Sequence, residues 1–114
     1  MPLATMPYRT TCSLTTGTAA SGGDLVVTLT GVVGQRHAIW KIFGSYLVAA
    51  ATGRLRVAGL NEDGNGTFDI DIIVGGQFSF DFVDSPLMGK LGGTVTITQT
   101  DGSTTKKLNI MRAI

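Results

Sequence analysis

Charge is scarce in this chain, and glutamate is scarcest of all. Only 15% of the 114 residues are charged, and Glu62 is the single glutamate. Long amphipathic helices are excluded on that ground, because the Glu, Lys, Arg and Gln that solvate a helix's outer face are too few. Cysteine occurs once, at Cys12, so neither an internal disulfide nor a cysteine-based zinc site can form. A net charge of +1 creates no broad basic field, which argues against nucleic acid as a partner. No uncharged apolar run approaches the ~18 residues of a membrane span. The longest, from Ile42 to Thr52, carries Gly44 and Ser45. Met1 to Pro7 has neither the basic nor the apolar region of a secretory signal. Together these absences imply a soluble protein made in a reducing cytoplasm, with no membrane partner.

Glycine and threonine are abundant instead, at 16 residues each. Threonine suits pleated surfaces and glycine supplies the positive φ of tight turns, so the pair points to an all-β domain. A chain of this length supports one hydrophobic core and hence a single domain over residues 1–114. Apolar residues alternate along most of it, as they do in strands with one buried face. Eight strands are expected, at about Tyr8–Thr16, Asp24–Thr30, Arg36–Thr52, Arg54–Leu60, Thr67–Val74, Gln77–Val83, Thr94–Thr100 and Thr104–Arg112. An eight-stranded antiparallel jelly-roll sandwich fits this count, and Phe78, Phe80 and Phe82, at strict alternation, become inward-facing fillers between its sheets.

Two hairpins are expected. Around the turn residues 61–66, Leu60 opposite Thr67 sets Val57 against Ile70 and Leu55 against Ile72, with Arg56 against Asp71 on the other face. Around Asp101-Gly102, a type I′ turn sets Val95 against Leu108 and Ile97 against Lys106.

One strand breaks the alternation. Trp40, Ile42, Tyr46 and Val48 have one parity, and Ile39, Phe43 and Leu47 the other, so both faces are apolar. Val26, Ile73, Val83 and Met111 add to this surplus. Leaving such side chains in water forgoes about 1.5–3 kcal/mol each, so the surplus marks a subunit interface. A β-bulge at Gly44-Ser45, turning Phe43 and Tyr46 both inward, is the alternative.

Catalytic material is thin. His37 is the only histidine, and Cys12 and the hydroxyl residues stand at no motif spacing to it, so no nucleophile–base set can be named and no enzyme is expected. Asn61, Asp63 and Asn65 imitate the start of a calcium loop, but its twelfth position is Ile72 rather than a bidentate Glu, so the segment reads as an Asx-rich hairpin loop and no metal or cofactor is expected. Asp69, Asp71 and Asp81 read as surface ion-pair partners. Lys106-Lys107 reads as a pair solvating a sheet edge, and Cys12 as a small core filler. Pro2 and Pro7 keep residues 1–7 extended, and Leu3, Met6, Pro7 and Tyr8 equip this segment as a partner-binding arm.

The run from Arg36 to Tyr46, then Ala49-Ala50-Ala51-Thr52-Gly53-Arg54-Leu55-Arg56-Val57, resembles small virion proteins of tailed bacteriophages. So do Gly75-Gly76-Gln77-Phe78, Pro86-Leu87 and Gly92-Gly93-Thr94-Val95-Thr96-Ile97, and the likeness spans about Arg36–Ile110. The resemblance implies a jelly roll of the tumour-necrosis-factor type acting as a homotrimer. It also implies a capsid decoration (cement) protein on the virion surface that bridges subunits of the major capsid protein. Ile39, Phe43, Tyr46, Leu47 and Met111 are the candidate subunit-interface residues. The alternative is a carbohydrate- or receptor-binding module of a phage fibre, using Trp40 or the Asn61–Gly66 loop.

Overall fold

The structure, a computed structural model, describes residues 13–19, 23–48, 52–100 and 104–113. Among these residues there are nine strands and no helix. They are β1 (Ser13–Ala19), β2 (Leu25–Leu29), β3 (Ala38–Tyr46), β4 (Arg54–Leu60), β5 (Gly66–Asp71), β6 (Gly76–Asp81), β7 (Leu87–Met88), β8 (Val95–Gln99) and β9 (Lys106–Ala113). Eight correspond to the expected strands, and the two-residue β7 is the addition.

All pairings are antiparallel and form two sheets. One has the order β1-β9-β3-β6, with β7 also pairing β3, and the other β2-β8-β4-β5. Strands adjacent in sequence mostly lie in different sheets, the winding that defines a jelly roll. Inward side chains of both sheets meet in a core that includes Leu25, Val27, Leu29, Ile42, Leu55, Val57, Val95, Ile97, Leu108 and Ile110.

The expected second hairpin does not form. β8 pairs with β2 and β4, while β9 pairs with β1 and β3, so the chain crosses from one sheet to the other between them. Val95 and Leu108 are both buried, but they approach from opposite sheets. The crossing is anchored by polar groups inside the sandwich. Gln99 Nε2 donates to the Ser45 carbonyl at 3.0 Å, and the Tyr46 hydroxyl donates to the Thr100 carbonyl. Lys106 belongs to the same end: it is buried, and its Nζ donates to the Thr104 carbonyl at 2.7 Å. Because β9 runs between β1 and β3, Lys106-Lys107 does not solvate an edge. Lys106 points into the core, and Lys107 alone of the two is exposed.

The β4–β5 hairpin forms two residues out of the expected register. Leu55 faces Ile70, Val57 faces Phe68, Arg56 faces Asp69 and Arg54 faces Asp71. Gly59 causes the offset. It sits at φ +93° in a bulge between Ala58 and Leu60, where a Cβ would collide with the Thr94 carbonyl oxygen. A bulge adds one residue to one strand, and the turn takes up the rest. Face parity survives, so the ion pair forms with a different arginine: Arg54 Nε lies 3.2 Å from Asp71 and 3.4 Å from Asp69.

A bulge also resolves the two-faced strand, although it lies elsewhere than Gly44-Ser45. The pairing of β3 with β9 shifts between Ile39 and Lys41. Ile39 before the shift, and Ile42 and Tyr46 after it, therefore all point inward, and each is at most 1% exposed. Trp40, at the shift itself, is buried too. Ile39, Trp40, Ile42 and Tyr46 are thus absorbed by the chain's own core, whereas Leu47, Val48, Val26 and Ile73 stay exposed and Phe43, Val83 and Met111 are half-buried.

His37 closes the entry to β3. Its Nε2 donates to the Thr30 carbonyl at 2.8 Å, and its own carbonyl accepts from Gly89 N–H at 2.8 Å. The ring is 3% exposed. His37→Ala removes this tie and leaves a buried void, so a loss of about 2 kcal/mol is expected. Urea unfolding checks it, and an unchanged midpoint would show that the ring pins nothing.

Candidate subunit interface

The sandwich is closed along one side and open along the other. On the closed side, Leu25, Val27 and Leu29 of β2 are each no more than 8% exposed. β1 lies over them because Gly17 has no side chain: a Cβ there would sit 3.0 Å from Val27 and 3.1 Å from Leu25. On the opposite side run β5 and β6, the end strands of the two sheets. Their inward residues have the alternation of core positions, yet Phe68, Phe78 and Phe80 remain only half-buried and Ile70 is 36% exposed.

Aromatic packing bridges this open margin without sealing it. Phe68 of β5 meets Phe80 of β6 edge-on with ring centroids 5.8 Å apart, and Phe82 at 5.3 Å. Phe78 continues the row, 5.9 Å from Phe80 and 6.2 Å from the buried Tyr46. Such T-shaped and tilted contacts are favourable ring geometries, so the row is ordered although it is partly wet. Among the described strands β5 pairs only with β4, and β6 only with β3, so each also presents an unpaired backbone edge. A half-buried aromatic row between two free edges is a surface suited to further packing.

Three of the five residues expected at a subunit interface remain at the surface. Ile39 and Tyr46 do not, because the bulge at Trp40 turns both into the core. Phe43 is half-buried on the outer face of the five-stranded sheet, Met111 of β9 is half-buried, and Leu47 is 73% exposed just beyond β3. Leu47 and Val48 lie at the end of the sandwich where the β3–β6 ladder stops at Tyr46 and Gly76, and exposed Ile73 and Val74 lead into β6 at that same end. Leu3, Met6, Pro7, Tyr8 and Cys12 lie outside the described residues.

The other sequence candidates occupy structural positions. In the 61–65 loop Asp63 Oδ1 accepts from Asn65 N–H at 2.9 Å and Gly64 N–H donates to the Asn61 carbonyl, the self-contained bonding of an Asx turn. Asp81 likewise accepts from Val83 N–H at 3.0 Å. Among the described residues no three His, Cys, Asp or Glu side chains converge on a possible metal position. Trp40 is buried and offers no platform for a sugar ring. The margin itself is visible in the sequence only as the alternation of Phe78, Phe80 and Phe82. Nothing local says that β6 ends a sheet, or that Phe68 stands beside it.

No protein-family model matches the chain, and no curated protein matches it in sequence. Solved structures do. The core of the Drosophila protein NLP, whose structure is described in terms of pentamer formation and histone binding, superposes with a TM-score of 0.53 at 17% identity, covering 90% of this chain and 99% of that one. Tobacco streak virus coat protein matches with a TM-score of 0.36 at 14% identity, over 91% of this chain and 87% of that one. A bacteriophage CBA120 tailspike domain matches with a TM-score of 0.40 at 10% identity, over 90% of this chain and 19% of that one. The likeness to the NLP core, at 17% identity, is one of fold alone.

Proposed function

We propose that this chain acts without catalysis as a structural building block, a homotrimeric decoration (cement) protein on a virion capsid. The half-buried row Phe68, Ile70, Phe78 and Phe80 carries the reading, because a neighbouring copy would remove it from water. The charges beside that row favour a ring over a two-fold dimer. Asp69 and Asp71 alternate along the free edge of β5 and share Arg54, so pairing that edge with its own copy crowds four carboxylates around two Arg54 side chains. A head-to-tail contact avoids this, and head-to-tail contacts close into rings such as trimers. A ring of three copies holds several capsid subunits at once, and avidity turns modest single contacts into a stable clamp. The resemblance of residues 36–110 to small phage virion proteins supports a ring of three copies and a place on the capsid.

Size-exclusion chromatography with light scattering tests the assembly. The expected mass is three times the 11.9 kDa of one chain. Sedimentation with undecorated phage heads then tests the partner. A monomeric mass at about 100 μM, well above the concentration at which a micromolar contact saturates, removes the assembly and the capsid role with it.

A further inference from the structure

We infer that the outer face of the five-stranded sheet carries a binding site for an acidic saccharide. This goes beyond the assembly reading, because it uses the solvent-facing rows of β3, β6 and β9 rather than the inward row at the margin. An open groove of about 720 Å³ crosses that face. Its walls include Lys41, Phe43, Gln77, Ser79, Lys107 and Asn109, and no carboxylate is among the described lining residues. The ladder fixes their arrangement: Asn109, Phe43 and Ser79 form one row across the three strands, and Lys107, Ser45 and Gln77 the next.

Three features of this groove suit a sugar acid. Phe43, half-buried on the middle strand, presents the apolar surface against which the C–H face of a pyranose ring stacks. Polar groups with donors to spare surround it. Lys107 and Gln77 make no side-chain hydrogen bond or ion pair with other described residues, and Thr16 fixes the Asn109 amide by donating to its Oδ1 at 3.1 Å, which leaves the NH2 free to meet a hydroxyl. Finally, the groove is cationic. Lys41 Nζ rests 5.6 Å from the Phe43 ring centre, and a ligand carboxylate offers it a stronger, charge-assisted partner while freeing the ring for stacking. Asp81, opposite Lys41 on the same face, lies outside the groove lining, where one of its oxygens accepts from Val83 N–H; its charge offsets part of that of Lys41, so Lys107 is the cation without a facing carboxylate among the described residues. A phosphate-rich polymer would demand a denser basic field than two lysines and a chain charge of +1 provide.

Isothermal titration with galacturonate hexamer and sialyllactose, beside neutral maltohexaose and a polyglutamate of matched charge, tests the site. At least one acidic sugar is expected to bind with a Kd below about 1 mM and about tenfold more tightly than maltohexaose or polyglutamate. Phe43→Ala should weaken that binding about tenfold, and Lys107→Glu, on an exposed side chain, should abolish it without loss of fold. Light scattering on the same samples reads assembly separately, so a failed trimer and a failed sugar site cannot be confused. Absence of binding by every acidic sugar, equal binding of polyglutamate, or binding that survives both substitutions overturns the proposal.

Discussion

Ile70→Lys is expected to leave the protein monomeric at concentrations where the parent chain assembles. Ile70 faces inward from β5 opposite the fully buried Leu55, yet 36% of it reaches solvent across the open margin. In a lone subunit a lysine there can run its methylenes along the same apolar surface and keep its ammonium in water, so the monomer should lose only about 1 kcal/mol. In an assembled ring that ammonium would be buried against the neighbour with no partner. Association should then weaken by about 3 kcal/mol or more, a factor of at least roughly 100 in the dissociation constant. Sedimentation equilibrium measures both species. Val26→Lys is the control, because Val26 is 52% exposed on the outer face of the four-stranded sheet, away from the margin, and should leave the mass unchanged. An Ile70→Lys protein that keeps the parent mass would place the interface elsewhere.

Gly44→Ala should destabilise the fold severely, although it adds a single methyl group. Gly44 lies on β3 between β9 and β6 and faces the core. A Cβ at this position would collide with the Lys107 carbonyl oxygen, and it would lie 3.0 Å from the Phe78 ring and 3.2 Å from Leu108 Cα. Backbone atoms of a strand hydrogen-bonded on both sides cannot give way cheaply, so β3 and β9 must separate or Phe78 must leave its place. Overpacking of this kind costs about 3 kcal/mol. At about 4 °C per kcal/mol for a domain of this size, the Tm should fall by roughly 12 °C. Gly23→Ala, where a Cβ meets nothing within 4 Å, should change stability by less than about 0.5 kcal/mol. Calorimetry that finds the two variants alike would show that β3 is not held as tightly as its ladder implies.

The surplus around Trp40 shows how one shift of register can bury side chains that the pattern alone leaves outside. Both parities of β3 are apolar in the sequence, and a single uninterrupted strand would have to expose one of them. The structure inserts one residue of offset at Trp40, and Ile39, Ile42 and Tyr46 then share the core. Incompletely buried apolar surface lies instead at Phe68, Ile70, Phe78 and Phe80, of which Ile70, Phe78 and Phe80 read in the sequence as ordinary inward positions. Their inward direction was legible. Their incomplete burial was not, because it depends on where β5 and β6 fall in their sheets.

The sequence by itself determined the class of fold, the approximate strands, and which side chains point inward along most of them. Each of these follows from the two-residue period of a pleated strand, a property of neighbours in the chain. Tertiary structure alone decided which strands pair, where bulges reset the register, and which strands end a sheet. It sent β8 and β9 to different sheets although they look like a hairpin, and it left the β5–β6 margin half open. Those outcomes rest on contacts between residues far apart in sequence, where hydrogen bonds and buried area are shared among segments whose local patterns are interchangeable.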